Sequence, residues 1–246
     1  MMIVDKLKKI VNNIFDTDPE IRFACTRGAP NVSPITRVEL ARNVMPDWIK
    51  NQKENDNKDK FLNCPGMADY AKAGYIIPAW SDMIIKANRA GTVVKHNNNY
   101  NIPETNLNFK MVEPFVPINN TVKGLVTKVP CPWGVFGKSG WSGYLIPAYY
   151  HSPFLQDLFL YPGIIDFDKF HTINFVFTAL RDVEITIPAG TPLLQLIPFK
   201  RETVRGVCMK GTEKDRDVHT FSYPTMHRSA YRRLFHQKKT FKLEHK

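Results

Sequence analysis

Two clusters of residues in this chain combine types and spacings that chemistry can use. The first reads Cys64-Pro65-Gly66-Met67-Ala68-Asp69-Tyr70 and resumes at Gly74-Tyr75-Ile76-Ile77-Pro78-Ala79-Trp80-Ser81-Asp82. Its carboxylates, Asp69 and Asp82, are of the kind that serve as an acid and base pair or as ligands of a hard cation. The competing reading is local: acidic side chains at element ends bond to nearby backbone, so Asp69 caps or pairs and Asp82 closes a turn. The second cluster reads Tyr161-Pro162-Gly163-Ile164-Ile165-Asp166-Phe167-Asp168-Lys169-Phe170-His171. Gly163 makes a turn, the two isoleucines enter a strand, and Asp166 falls at the mouth of a sheet. Downstream, Ile187-Pro188-Ala189-Gly190 leads into a strand whose apolar run contains one amide, Gln195. A buried amide there needs hydrogen-bond partners.

Other reactive residues form no pattern. Ser142 lacks a G-x-S-x-G setting, and neither His151 nor His171 has a spacing that demands a triad with it; triads are a matter of geometry. Trp133, Trp141, Tyr144, Tyr149 and Tyr150 form an aromatic-rich stretch suited to stacking on bases or to packing in a core or interface. Cys25, Cys64, Cys131 and Cys208 are far apart, with no C-x-x-C, so neither a zinc site nor a disulfide framework is expected. Isolated cysteines fit a reducing compartment.

These residues must be positioned by regular elements. Ile3, Leu7, Ile10, Val11 and Ile14 recur at helical spacing, which predicts an N-terminal amphipathic helix over residues 1–16. Pro19 ends it, and residues 21–26 read as a strand. Short helices are expected at 37–43 and, opened by Pro46, at 46–50. Residues 51–60 contain no hydrophobe and read as a solvated loop. From Phe61 onward, short apolar runs alternate with Pro and Gly: 74–80, 82–87, 91–95, 109–112, 122–128, 143–147, 173–178, 183–187 and 193–199 are strand candidates, spaced as in an all-β sandwich or barrel. Residues 97–101 read as a turn. Residues 206–222 read as a surface excursion, and a basic helix is expected from Tyr231. The resulting division is an N-terminal helix (1–20), a β-rich core domain (21–205), and an excursion with a basic C-terminal helix or arm (206–246).

The 246 residues are 43% hydrophobic, enough for a sizeable core, and no run approaches the ~20 apolar residues of a membrane span. The N-terminal apolar residues are periodic rather than massed, unlike a signal peptide. The net charge of +11 is unevenly placed. Residues 1–60 and 61–225 contribute +2 and +3, whereas 226–246, with seven basic side chains and one acidic, contribute +6. The tail residues Arg228, Arg232, Arg233, Lys238, Lys239 and Lys242 form a candidate binding segment for phosphate or an acidic partner.

Seven motifs in order carry a family resemblance. They are Pro46-x-Trp48, Cys64-Pro65 with Asp69, Gly74 to Pro78, Gly140-Trp141-Ser142, Gly163 to Asp166, Asn174-Phe175-x-Phe177, and Gly190-Thr191-Pro192 with Gln195 and Ile197-Pro198-Phe199. The set resembles an uncharacterised family encoded by tailed phages, many marine and T4-like, and by some bacteria. That resemblance implies a viral or bacterial origin and no particular activity. A second, more distant one rests on Gly163-Ile164-Ile165-Asp166 with Phe170, and on Gly190 with Gln195-Leu196-Ile197. It is similar to the trimeric dUTPase and dCTP deaminase pattern, which implies a β-clip-like body and, were the activity retained, a water-orienting Asp166 acting with magnesium. Phe170 lies one position later than the aromatic residue of that pattern. Lys138-Ser139-Gly140 is only superficially like its phosphate-binding motif, and no glycine-rich closing motif occurs at the C-terminus.

The expectation is therefore a mainly β chain with minor helix, its body a β-sandwich or β-clip-like unit. Its leading function is that of a non-enzymatic phage-type virion or assembly protein without a cofactor, found in the virion or host cytoplasm. Its partners would be copies of itself or other virion proteins, not a membrane. Fold alone does not carry function, and two other functions compete: a dUTPase-like nucleotide hydrolase, deaminase or binder using Asp166, and a nucleic-acid binder using the tail.

Overall fold

The computed structural model describes residues 19–25, 34–52, 64–88, 91–96, 108–109, 126–225, 237 and 239–245. The expected N-terminal helix, the turn at 97–101, the loop beyond Gln52, most of the strand expected at 109–112 and the helix expected from Tyr231 lie outside these residues.

The architecture is mainly β. In chain order the strands are β1 (Ile21–Cys25), β2 (Glu39–Leu40), β3 (Tyr75–Pro78), β4 (Met83–Asn88), β5 (Gly91–His96), β6 (Asn108–Phe109), β7 (Val126–Gly137), β8 (Trp141–Pro147), β9 (Leu158–Leu160), β10 (Gly163–Asp166), β11 (Thr172–Ala179), β12 (Val183–Ile187) and β13 (Pro192–Lys200). They form three antiparallel sheets: β1-β7-β11-β9 with β6 added beside β7, β10-β8-β13-β3-β2, and β12-β4-β5. Among the described residues the α-helices are short or peripheral: α1 (Asp47–Lys50), α2 (Pro65–Lys72) and α3 (Glu213–Thr225). No helix among the described residues is long and apolar enough to cross a membrane.

Alternation explains how the sheets share one core. In β4, Met83, Ile85 and Ala87 point inward while Ile84, Lys86 and Asn88 face out, the period of a half-buried strand. One cluster joins these residues to Ile77, Val129, Val135, Phe167, Phe175, Phe177, Leu194 and Leu196, so all three sheets bury side chains against one another. The four cysteines form no disulfide, and burial pushes the Cys131 thiol up to about 12, which keeps it protonated and unreactive at neutral pH.

Two local expectations are corrected, and two helices are added to the reading. Residues 37–43 are not helical: Glu39 and Leu40 pair with Ile76 and Tyr75 of β3, and a turn follows. Burying Val38 and Leu40 against the sheet outweighs the helix propensity that Leu40 and Ala41 bring to this segment. Of the strand expected at 122–128, residues 122–125 lie outside the described residues; from Val126 the strand continues to Gly137 through Pro130 and Pro132. It does so because β1 pairs only with residues 133–137, while the β7–β11 register shifts between Thr172 and Asn174, so the prolines stand at a ladder irregularity. The Cys64–Lys72 stretch, for which no helix is expected from sequence, holds α2, with Pro65 in its first turn, where a missing N–H costs nothing. Within the surface excursion, α3 opens on a reciprocal cap. The Thr212 backbone N–H and hydroxyl donate to Asp215 Oδ2 (2.8 and 2.7 Å), and Asp215 N–H donates to Thr212 Oγ1 (3.2 Å).

Candidate functional site

Antiparallel pairing brings Asp166 to its partner. In the β10–β8 register Asp166 lies opposite Ser142, and in the β8–β13 register Ser142 lies opposite Phe199. The Ser142 hydroxyl, fully buried, donates to Asp166 Oδ1 at 2.6 Å. Beyond β13 the ladder is prolonged by Arg201 N–H donating to the Gly140 carbonyl (2.8 Å), which swings the guanidinium over the turn after β10. There Arg201 Nη2 spans both Asp168 oxygens (2.7 and 2.6 Å), and Nη1 stands 3.4 Å from Asp166 Oδ2. The turn is held by Lys169 and Phe170 N–H groups donating to the Asp166 carbonyl (3.0 and 2.9 Å) and by Phe167, which is fully buried between the two acids.

The environments of the acids differ. The Asp168 side chain is 10% exposed and that of Asp166 is 43% exposed. Desolvation by itself would raise the Asp168 pKa, but hydrogen bonds from Arg201, Ser139 and the Gly140 N–H outweigh it and hold the carboxyl below its ordinary value. Chemically, this is one arginine shared between two carboxylates, leaving a net negative charge, while a serine fixes the more exposed of them. Asp166 is thereby oriented and half open to solvent, with Ile164 (63% exposed) and Phe170 (56%) nearby on the chain and Tyr144 opposite Ile164 in the β10–β8 register; the Tyr144 ring stacks on Phe199 at 4.5 Å.

The first sequence cluster is divided among separate local contacts. Asp82 Oδ1 accepts the Ala189 N–H at 2.8 Å and so closes the turn ahead of β13, and Asp69 pairs with Lys239 at 2.6 Å. Among the described residues no group of three or more His, Cys, Asp or Glu side chains is placed to hold a metal. Gln195, fully buried, donates through Nε2 to the carbonyls of Tyr70 (2.8 Å) and Ala73 (2.7 Å), stitching α2 to the sheet. The aromatic stretch splits: Trp133 is buried and Trp141 packs on the core, while Tyr150 meets Tyr70 and Trp48 edge-on. Burial, with Tyr149 and Tyr150 close by, pushes the Tyr70 hydroxyl up to about 12.

Of the tail candidates, Arg228, Arg232, Arg233 and Lys238 lie outside the described residues. Lys239 binds Asp69, and the Lys242 carbonyl accepts the Tyr75 hydroxyl at 3.0 Å. Phe241 and Leu243 pack against the main core, the Phe241 ring 6.1 Å from that of Tyr75, and His245 Nε2 lies 2.7 Å from Glu39 Oε1. The role of Arg201, the pairing of Asp168 and the docking of residues 239–245 as a seven-residue strap are not foreseen in the sequence reading. Only the alternation of Phe241 and Leu243 was a signal for the strap.

His151 and Asp168 are among the groups that make the stability depend on pH. Burial lowers the His151 pKa from its ordinary ~6.5, a backbone interaction at Ala41 opposing it in part. The unfolded chain therefore takes up this proton first, so the contribution of His151 is complete above ~6.5 and declines as pH falls from there. The depressed Asp168 contributes fully above ~4 and is lost as pH falls through its lower folded value. Thermal melts from pH 8 to 3 should show both declines, and His151→Gln should flatten the upper one. An unchanged slope between pH 7 and 5.5 in that variant would exclude His151 as its source.

No protein-family model and no curated protein matches the sequence. Solved structures do resemble it, distantly, and phage dUTPases are among them. A point mutant of the dUTPase of Staphylococcus bacteriophage 80alpha, solved with dUpNHpp, gives a TM-score of 0.36 at 10% identity over 80% of this chain and 100% of that one. A second 80alpha dUTPase mutant gives 0.35 at 10% identity over 80% and 99%. A mutant dUTPase from phage phi11 of S. aureus, described as revealing coordination of a structural Mg(II) ion, gives 0.33 at 12% identity over 79% and 99%. At such scores the likeness transfers no residue role.

Proposed function

We propose that this chain is a non-enzymatic structural or assembly protein of the phage type, self-associating through its β body and terminal arms. The observation that most supports this is the segment after β13. Residues 202–217 are exposed throughout, and Val204, Val207 and Met209 are 87, 68 and 72% exposed. Burying such side chains is worth about 1.5–3 kcal/mol each, a gain open to them only on another surface. The exposed Ile164 on β10, an edge strand of its sheet, adds apolar area to the body itself. In this reading the body is a β-clip-like sandwich, and the Asp166, Ser142, Arg201 and Asp168 network braces the root of the arm rather than performing a reaction.

Light scattering on the purified full-length chain should give a multimer. A strict monomer that is also absent from purified particles would overturn the proposal. The same preparation, offered pyrimidine nucleotides with Mg2+, should show neither turnover nor a thermal shift; turnover abolished by Asp166→Ala would make the chain a nucleotide enzyme instead.

A further inference from the structure

We propose that the aromatic patch formed by Trp48, Tyr70, Tyr149 and Tyr150 is a binding site for a neutral saccharide. The proposal goes beyond the self-association argued above and does not depend on it.

Three parts of the fold build the patch. Trp48 lies on α1, Tyr70 on α2, and Tyr149 and Tyr150 on the turn that follows β8. The Tyr150 ring is the hub: it stands 5.5 Å from Tyr70 at 87° and 6.5 Å from Trp48 at 65°. Tyr150 also packs on Met45, Ile49 and Ala71, and the Gln195 bond to the Tyr70 carbonyl holds α2 on the sheet, so the rings sit on a fixed base. The outer side chains are not consumed by the core. Trp48 is 49% exposed, Tyr149 52%, and Met67, one turn before Tyr70 on α2, 37%. The hydroxyls gather in the same place. Burial first, and then the nearness of Tyr149 and Tyr150, pushes the Tyr70 hydroxyl up to about 12, so it stays neutral at pH 7 and can both donate and accept.

Size and charge select the occupant. About half of two large aromatic side chains and a third of a methionine amount to roughly 200–300 Å2 of accessible surface. A stable protein interface needs about 800 Å2 on each partner, so the patch suits a small ligand. The carboxylates that neighbour Trp48 and Tyr70 in sequence are already paired, Asp47 with Lys50 (3.3 Å) and Asp69 with Lys239 (2.6 Å). Neither pair supplies net charge to hold a phosphate or an organic cation. The patch therefore offers ring faces with neutral hydroxyls beside them. A pyranose ring matches both features: its positively polarised C–H bonds lie against the negative face of an indole or phenol ring, and its hydroxyls exchange hydrogen bonds with the tyrosines.

The test titrates the full-length chain with cellotetraose, maltotetraose and chitotetraose, followed by calorimetry and by tryptophan fluorescence. Trp48 is the most exposed of the four tryptophans, so its emission reports on the patch. At least one of the three should bind saturably with a Kd on the order of 1 mM or tighter. Trp48→Ala and Tyr149→Ala, both at half-exposed positions, should each weaken that binding about tenfold or more. Tyr149→Phe, which keeps the ring and removes the hydroxyl, should weaken it about fivefold, and Val93→Ala, an exposed apolar change on β5, should leave it unchanged. No saturable binding of any of the three at roughly ten times that concentration overturns the proposal. Binding that survives both alanine variants also overturns it, as does equally tight binding of adenosine, which would make the patch a general stacking surface. Dispersal of the multimer by Trp48→Ala in light scattering would make the patch a contact between copies and overturn it as well.

Discussion

Gly74→Ala should destabilise the protein by about 3–5 kcal/mol, lowering Tm by roughly 10 °C or more for a chain of this size. Two costs combine. Gly74 has φ +67°, where an L side chain carries a penalty of about 1–2 kcal/mol. A Cβ there would also fall on the carbonyl oxygen of Leu196 and lie 3.2 Å from the Cα of Ile197, both backbone atoms of β13 that no rotamer change can move. The β3–β13 ladder would have to open just where Gln195 and Leu196 pair with Ile76 and Tyr75. Gly140 separates the two costs. Its φ is +85°, yet nothing lies within 4 Å of an added Cβ, so Gly140→Ala should cost only about 1–2 kcal/mol. Equal losses at the two positions in chemical denaturation would show that conformation alone, and not the close approach of β13, accounts for Gly74.

Phe167→Ala should cost about 3–5 kcal/mol, the range for truncating a buried phenylalanine. Its ring lies where side chains on two strands would otherwise stand. A Cβ on Gly143 would come within 2.7 Å of Phe167 Cζ, and one on Gly137 within 3.0 Å of Phe167 Cβ. Because the same residue separates Asp166 from Asp168, its loss should also loosen both carboxylates from Ser142 and Arg201. The exposed Phe170, three residues on, should change stability by no more than about 0.5 kcal/mol on truncation. Gly143→Ala fills part of the space that Phe167→Ala vacates, so the double variant should cost less than the two single changes together. Additive losses would mean that ring and glycine do not share that space.

Much of the β body was readable because burial on a strand is written locally. The alternation of β4 and the apolar runs of β11 and β13 sit within a residue or two of where sequence places them, and Pro46 opens α1 as expected. Misreadings cluster where partners far along the chain decide. Residues 37–43 carry a helical mixture of side chains, yet Leu40 is claimed by Tyr75 of β3. Pro130 and Pro132 argue locally against a strand, and only the shifted β11 register accommodates them. The α2 start at Pro65 and the Thr212-x-x-Asp215 cap of α3 are helix signals present in the sequence, but nearby Gly and the charged, hydrophobe-poor composition of the excursion mask them.

The linear sequence by itself determined the mainly β character, the strand segments and the concentration of positive charge in the last 21 residues, since periodicity and composition are properties of neighbours. Only the tertiary structure decided what the charged residues meet. Asp166 finds Ser142 across 24 positions and Lys239 finds Asp69 across 170, through register and docking that no local pattern encodes. The positive tail is thus turned in part from a free basic segment into a strap with its own acidic anchors. The physical reason is that element formation is governed by short-range preference and burial period, whereas pairing is governed by which exposed edges and faces the completed sheets leave to be filled.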